Sequence, residues 1–299
     1  MKVLVGGSTG LVGSALIDYL TASRIEILRL SRTPAPAGEP TVQWDPARGL
    51  LPTAELEGLD AVVQLAGESI TGRWTAARKA RIRSSRIDGT RMLCQALAGL
   101  ERRPRVLICA SAVGCYGDRG DELCTEASDP GQGFLADVVR DWEAATAPAK
   151  AAGIRVVHLR IGVVLSPSGG ALTRMMLPFG LGLGGRLGSG RQYMSWVTLD
   201  DLVRMIDFII LHQDMRGAVN AVAPQAVTNT EFTKSLGRVL RRPTILPLPA
   251  FLLRMLFGEM ARSLLLSSTR VDPAALRQNG YEFVHPTLDE ALDELLRRI

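Results

Sequence analysis

Val3-Leu4-Val5-Gly6-Gly7-Ser8-Thr9-Gly10-Leu11-Val12-Gly13 decides the fold. Three apolar residues make a buried strand, Gly7, Gly10 and Gly13 keep a three-residue spacing, and Leu11, Leu16, Ile17 and Leu20 write one side of a helix. In a strand-turn-helix of this kind the glycines have separate jobs. One permits a tight turn at positive φ, one lets the backbone approach a diphosphate, and one lets the helix pack on the strand. The helix start turns free N–H groups and a partial positive charge toward the same spot. Such spacing is a weak signal alone, so the flanks matter. A second apolar run, Ile25 to Leu30, comes at the distance expected of a βαβ unit and ends in Ser31-Arg32. An acidic residue there would hold a ribose 2′-hydroxyl, whereas an arginine suits a 2′-phosphate. The expected cofactor is NADP, held by Gly7, Ser8, Thr9, Gly10, Leu11, Val12, Gly13 and Arg32.

With 299 residues, 46% of them hydrophobic and 22% charged, the chain suits one large α/β domain or one with a smaller companion. No apolar stretch reaches the roughly 18 residues that span a bilayer, and Met1-Lys2 runs straight into a strand, leaving no room for a signal sequence. A cytoplasmic address without a membrane partner is expected. Cys94, Cys109, Cys115 and Cys124 form no C-x-x-C pair, and His158, His212 and His285 are far apart. No metal site is expected, and the cysteines read as buried, reduced small residues. The net charge is +5, but the arginines are scattered without interleaved aromatics, so no nucleic-acid partner is expected.

Along the chain, Thr33 to Pro40 reads as a loop, and Val42–Trp44 and Leu59–Leu65 as strands. Ligands of open parallel sheets lie beyond the strands' carboxyl ends, so Ala66, Gly67 and Glu68 should face the site. Glu68 reads equally as a helix-start carboxylate. A helix over Trp74 to Leu100 carries Arg78, Lys79, Arg81, Arg83 and Arg86. The strand Val106–Ala110 leads into Ser111 to Tyr116, either a catalytic edge or a turn. One helix is expected over Phe134 to Ala152, then strands Arg155–Ile161 and Val163–Leu165. The stretch from Gly169 to Gly190 bends around something and leads into Arg191, Gln192, Tyr193 and Trp196, a set suited to phosphates and a ring. Helices follow at Leu199–Leu211, with Asp200 and Asp201 as first-turn carboxylates, and at Asn229–Leu240. Three more are expected at Phe251–Phe257, Asp272–Asn279 and Leu288–Arg298. The architecture is α/β: a Rossmann doubly wound parallel sheet with a smaller, mostly helical C-terminal region. The expected divisions are 1–165, interleaved substrate-side segments over 166–245, and a helical module over 246–299.

On Gly7–Gly13, Leu65-Ala66-Gly67, Ser111–Gly117 and Arg191–Asp201 the chain resembles the short-chain dehydrogenase/reductase superfamily, in its extended branch of nucleotide-sugar epimerases. It is similar more narrowly to an epimerase-like subfamily that includes the bacterial YfcH type. The marks are Leu65–Glu68, Gly162–Leu165, Leu177–Gly185, Gly188–Gln192 and a closing helical module from about Leu246. The resemblance implies a Rossmann domain, NADP and a small-molecule pocket, and adds Ser31, Leu65, Ala66 and Arg86 to the cofactor contacts. The helix over Trp74–Leu100 is often a dimer surface in this fold, so a homodimer is a candidate assembly. Catalytic members use a serine or threonine, a tyrosine, and a lysine four residues after it. Aligned on Glu143, this chain has Leu135 and Val139 where tyrosine and lysine should stand, and the serine position is open between Ser111 and Ala112. The expectation is an NADP-dependent epimerase-like oxidoreductase acting on an anionic or nucleotide-linked small molecule. Tyr116 is its first acid/base candidate and Glu68 its second, with Ser111 orienting the substrate oxygen. Arg160, Arg191, Gln192 and Trp196 would anchor phosphates and ring. The alternative is a non-catalytic NADP(H) sensor, which would not need the Gly188-to-Trp196 set.

Overall fold

The computed structural model describes residues 1–33 and 38–297. The expected loop over Thr33–Pro40 lies partly, and the helix end at Arg298 wholly, outside the described residues. The strands of three residues or more are β1 (Lys2–Gly6), β2 (Glu26–Ser31), β3 (Thr41–Gln43), β4 (Ala61–Gln64), β5 (Val106–Ala112), β6 (Arg155–Ile161), β7 (Val163–Leu165), β8 (Trp196–Thr198) and β9 (Gly217–Ala221). Seven of them form one sheet in the order β3-β2-β1-β4-β5-β6-β9, and every pairing is parallel. The order reverses between β1 and β4, which opens a crevice at their carboxyl ends.

Alternation along each strand sends successive side chains to opposite faces. Val3, Val5, Val63, Ile108 and Leu159 pack under α1 (Leu11–Ala22) and α6 (Leu199–Leu211). On the other face Leu4, Val62 and Leu107 meet Leu93 and Leu97 of α2 (Ala76–Ala98). Burial of both faces explains why the strands read as unbroken apolar runs. The expected helix over Phe134–Ala152 is two, α3 (Phe134–Ala144) and α4 (Ala147–Ala151). Pro148 has no N–H to continue a helix but fits the first turn of a new one.

The glycine-rich stretch holds an unexpected helix, α5 (Gly170–Gly180). Next come α7 (Asn229–Val239), opened by a capping box between Thr228 and Glu231, then α8 (Ala250–Phe257), α9 (Ala274–Gln278) and α10 (Leu288–Arg297). A further core of Leu172, Phe179, Phe232, Leu236, Leu288 and Leu292 ties α5, α7 and α10 together around Trp196. The chain thus leaves the central sheet after β6 and returns to its edge at β9. Among the described residues no helix is long and apolar enough to cross a membrane.

Candidate functional site

Gly7 sits at φ +77°, and a Cβ there would lie 2.8 Å from the backbone nitrogen of Ala66. The turn after β1 and the Leu65-Ala66 end of β4 are therefore in direct backbone contact, which only glycine allows. At Gly13 a Cβ would come within 2.2 Å of the Gly7 carbonyl oxygen, so the first turn of α1 lies against the loop. The Gly10 N–H donates to the Gly7 carbonyl at 3.0 Å. No side chain caps α1, which leaves its leading N–H groups turned toward the crevice. At the end of β2, Arg32 is exposed and forms no ion pair with a described residue. Beside it the Ser31 and Thr33 hydroxyls share a hydrogen bond of 3.2 Å.

Arg86 reaches from α2 across Gly67, where a Cβ would stand 3.2 Å from the guanidinium carbon. Nη1 donates to the carbonyls of Glu68 at 2.9 Å and Ile82 at 3.1 Å, and the guanidinium lies 5.2 Å from the centre of the Trp142 ring. Burial pushes its pKa down to about 10 although the Glu68 charge works the other way. It forms no ion pair with a described carboxylate. The Glu68 carboxylate instead stands 3.8 Å from Arg78 and 3.9 Å from Arg81.

Beyond the ends of β5 and β6 lies a buried polar network. Arg160 grips Glu143 with two nitrogens, at 2.9 and 3.0 Å, and donates to the Tyr116 hydroxyl at 3.0 Å. Tyr116 donates to Asn220 Oδ1 at 2.7 Å, and Ser111 donates to Glu143 at 2.6 Å. Burial alone would raise the Glu143 carboxyl, but the hydrogen bonds from Arg160 and Ser111 outweigh it and hold it below its usual value. Burial pushes the Tyr116 phenol well up. His158 is held down, chiefly by burial, with Nε2 2.8 Å from the Thr146 hydroxyl.

The residues expected at the site fall into different surroundings. Tyr116 is fully buried, donates its hydroxyl proton to Asn220 and is held well above its ordinary pKa by burial. Ser111 commits its proton to Glu143 and orients that carboxylate. Arg160 is the buried partner of Glu143. Gln192 donates to the carbonyls of Leu187 and Leu265, both at 3.0 Å, and so pins the glycine-rich loop to the C-terminal region. Trp196 is a core side chain whose Nε1 donates to the Gln225 carbonyl at 2.7 Å. Arg191 alone of that set stays exposed. Val139 packs with Cys115, Tyr116 and Val222, and Leu135 joins an apolar cluster with Trp74 and Met260. Two features escaped the sequence reading. Trp142 lies under Arg86, and Arg270 sits 5.0 Å from the centre of the Tyr193 ring. Only Trp142 left a trace in the sequence, as the residue beside Glu143.

The family model described as the NAD dependent epimerase/dehydratase family matches residues 3–221, and a domain of unknown function, DUF1731, matches residues 248–295. The chain belongs to the NAD dependent epimerase/dehydratase family. It is similar to the epimerase family protein Mb2239 of Mycobacterium bovis, with 47% identity over 291 residues that make up 97% of this chain and 96% of that one. The Bacillus subtilis epimerase family protein YfhF is 36% identical over 99% of this chain and 98% of its own. Among solved structures, the human epimerase family protein SDR39U1 with NADPH superposes with a TM-score of 0.92 at 34% identity, covering all of both chains. The relatives carry the SDR39U1 and YfhF names, so the subgroup is described by those and not by the YfcH label.

Proposed function

We propose that this chain binds NADP(H) across the carboxyl ends of β1, β2 and β4 and exchanges hydride with a small anionic substrate over the ends of β5 and β6. The observation that carries this reading is Arg86, a half-buried guanidinium beside the glycine turn that forms no ion pair with a described carboxylate. A cation so placed fits a phosphorylated ligand. The backbone of Gly7–Gly13 would cradle the diphosphate, Ser31 and Arg32 the 2′-phosphate, and Leu65, Ala66 and Gly67 the adenosine side. The NADPH in the human SDR39U1 structure supports the choice of dinucleotide. When bound, the nicotinamide supplies or accepts the hydride. The phenol of Tyr116 is locked inward, so the proton would pass through Glu68, whose carboxylate stands 3.8 Å from Arg78 and 3.9 Å from Arg81. Arg191 would meet the substrate's anionic group.

Titration calorimetry with NADPH and NADH tests the cofactor. Tighter binding of NADPH is expected, and equal affinities or no uptake would sink the reading. Turnover of NADPH with carbonyl compounds and sugar nucleotides, compared with Glu68→Gln, tests the chemistry. A second reading, an NADP(H) sensor without chemistry, is favoured by one observation: Gln192 and Trp196, which only an enzyme seemed to need, serve packing instead. NADPH binding with no exchange of hydride across that panel would decide for the sensor.

A further inference from the structure

Near α5 and α8 the surface is apolar where a folded chain normally hides such side chains. Leu177 on α5, with Leu181 and Leu183 after it, is at least half exposed, and so are Ile245 and Leu246 before α8. On α8 itself Phe251, Met255 and Leu256 point outward while Leu253 points in. These segments are neighbours. A Cβ on Gly185 would meet the Leu246 carbonyl oxygen, and the backbones at Arg186–Gly188 and Leu248 exchange hydrogen bonds of 2.9 Å.

The charge on the same segments has one sign. Arg174 and Arg186 fall in 170–190, which contains no acidic residue. Arg241, Arg242, Arg254 and Arg262 fall in 241–262, where the one carboxylate, Glu259, is taken by Lys79 at 2.9 Å. All six arginines are exposed, and none forms an ion pair with a described residue. An apolar face that large on a folded chain marks a contact surface. A second copy is disfavoured as the occupant, because a two-fold contact would set six arginines against the same six. The counter-surface must be apolar and anionic together.

We propose that this face docks on an anionic lipid bilayer surface. The leucines, Ile245, Phe251 and Met255 enter the boundary between headgroups and acyl chains, while the arginines stay with the lipid phosphates. This is docking without crossing. It departs from the sequence expectation of no membrane partner, which rested on the lack of a spanning segment.

The test is flotation of the full chain with vesicles of phosphatidylcholine alone and of phosphatidylcholine with an equal part of phosphatidylglycerol. Binding is expected only to the anionic vesicles and is expected to fall as salt rises. Each arginine near such a surface contributes about fivefold to partitioning, so Arg241→Glu with Arg242→Glu should lower it more than tenfold. Phe251→Ser should also weaken it, and unchanged melting temperatures would show that both variants fold. Equal binding to neutral vesicles, or binding to neither, would overturn the proposal. So would a dimer in solution that Phe251→Ser dissociates. No nucleotide enters the assay, so its failure leaves the cofactor reading untouched, and the converse holds.

Discussion

Replacing Arg86 with methionine keeps most of the stem that crosses Gly67 and removes the charge. In the free protein that charge is held at a cost: burial takes the guanidinium from 12.5 to about 10. At ~1.36 kcal/mol for each tenfold in proton affinity, the penalty is roughly 3 kcal/mol. The hydrogen bonds to the Glu68 and Ile82 carbonyls return about 1 kcal/mol each. Arg86→Met should therefore leave the free protein as stable as the parent or more stable by about 1 kcal/mol, read as the urea midpoint. Binding should move the other way. A charge-assisted hydrogen bond is worth about 1.5–3 kcal/mol, so NADPH affinity should fall roughly tenfold to a hundredfold in calorimetry. The opposite signs identify a residue placed for a ligand. A variant that loses several kcal/mol in the absence of nucleotide, or binds NADPH as tightly as the parent, would refute the reasoning.

Arg32→Asp should reverse the preference between NADPH and NADH, weakening NADPH roughly tenfold or more, because the 2′-phosphate meets a carboxylate in place of a guanidinium; calorimetry with both nucleotides checks it. Tyr116→Phe leaves Asn220 Oδ1 without its donor and Arg160 with one acceptor fewer, and should cost about 1–3 kcal/mol in denaturant midpoint while leaving any turnover in place. Trp196→Ala should cost about 3–5 kcal/mol, the scale of a large core deletion, with nucleotide affinity little changed. Acid should destabilise the fold in two stages. His158 is held below its ordinary 6.5, so beneath that pH the unfolded chain takes up a proton the native state refuses. Glu143 is held below its ordinary 4.5, so its contribution, present above that pH, is lost as pH falls through the lower native value. Urea midpoints from pH 7 down to 4 should decline throughout, and a rise between pH 7 and 5 would contradict the burial of His158.

Features set by neighbours in sequence were legible. Gly7 and Gly13 declared their roles because steric contact with Ala66 and with the Gly7 carbonyl forbids a Cβ, and the bounds of β6 and α6 fell where the apolar pattern placed them. What was not legible depended on distant chain. Trp196 looked like a ring platform inside glycine-rich sequence, yet its surroundings come from Phe232 and Leu288. Tyr116 looked catalytic because it stands near a strand end. Its fate is set by Asn220, which enters through the edge strand β9, 104 residues away. The helix α5 was hidden by its own composition, since Gly169-Gly170 and Gly180 mask the apolar spacing of Leu172 and Phe179.

The missing tyrosine and lysine belong to the same physical picture as the Arg160–Glu143 pair. Val139 lies in an apolar cluster with Cys115, Tyr116 and Val222, and Arg160 lies 5.2 Å from the centre of the Tyr116 ring. A lysine at 139 would bring a second cation into dry surroundings where Glu143 already gives both oxygens to Arg160. Burial would drive such an ammonium to its neutral form, unable to lower the pKa of a neighbouring phenol. The network and the dyad are therefore alternatives. With its buried cation already placed on β6 and paired with Glu143, the chain gains nothing from a second one on α3.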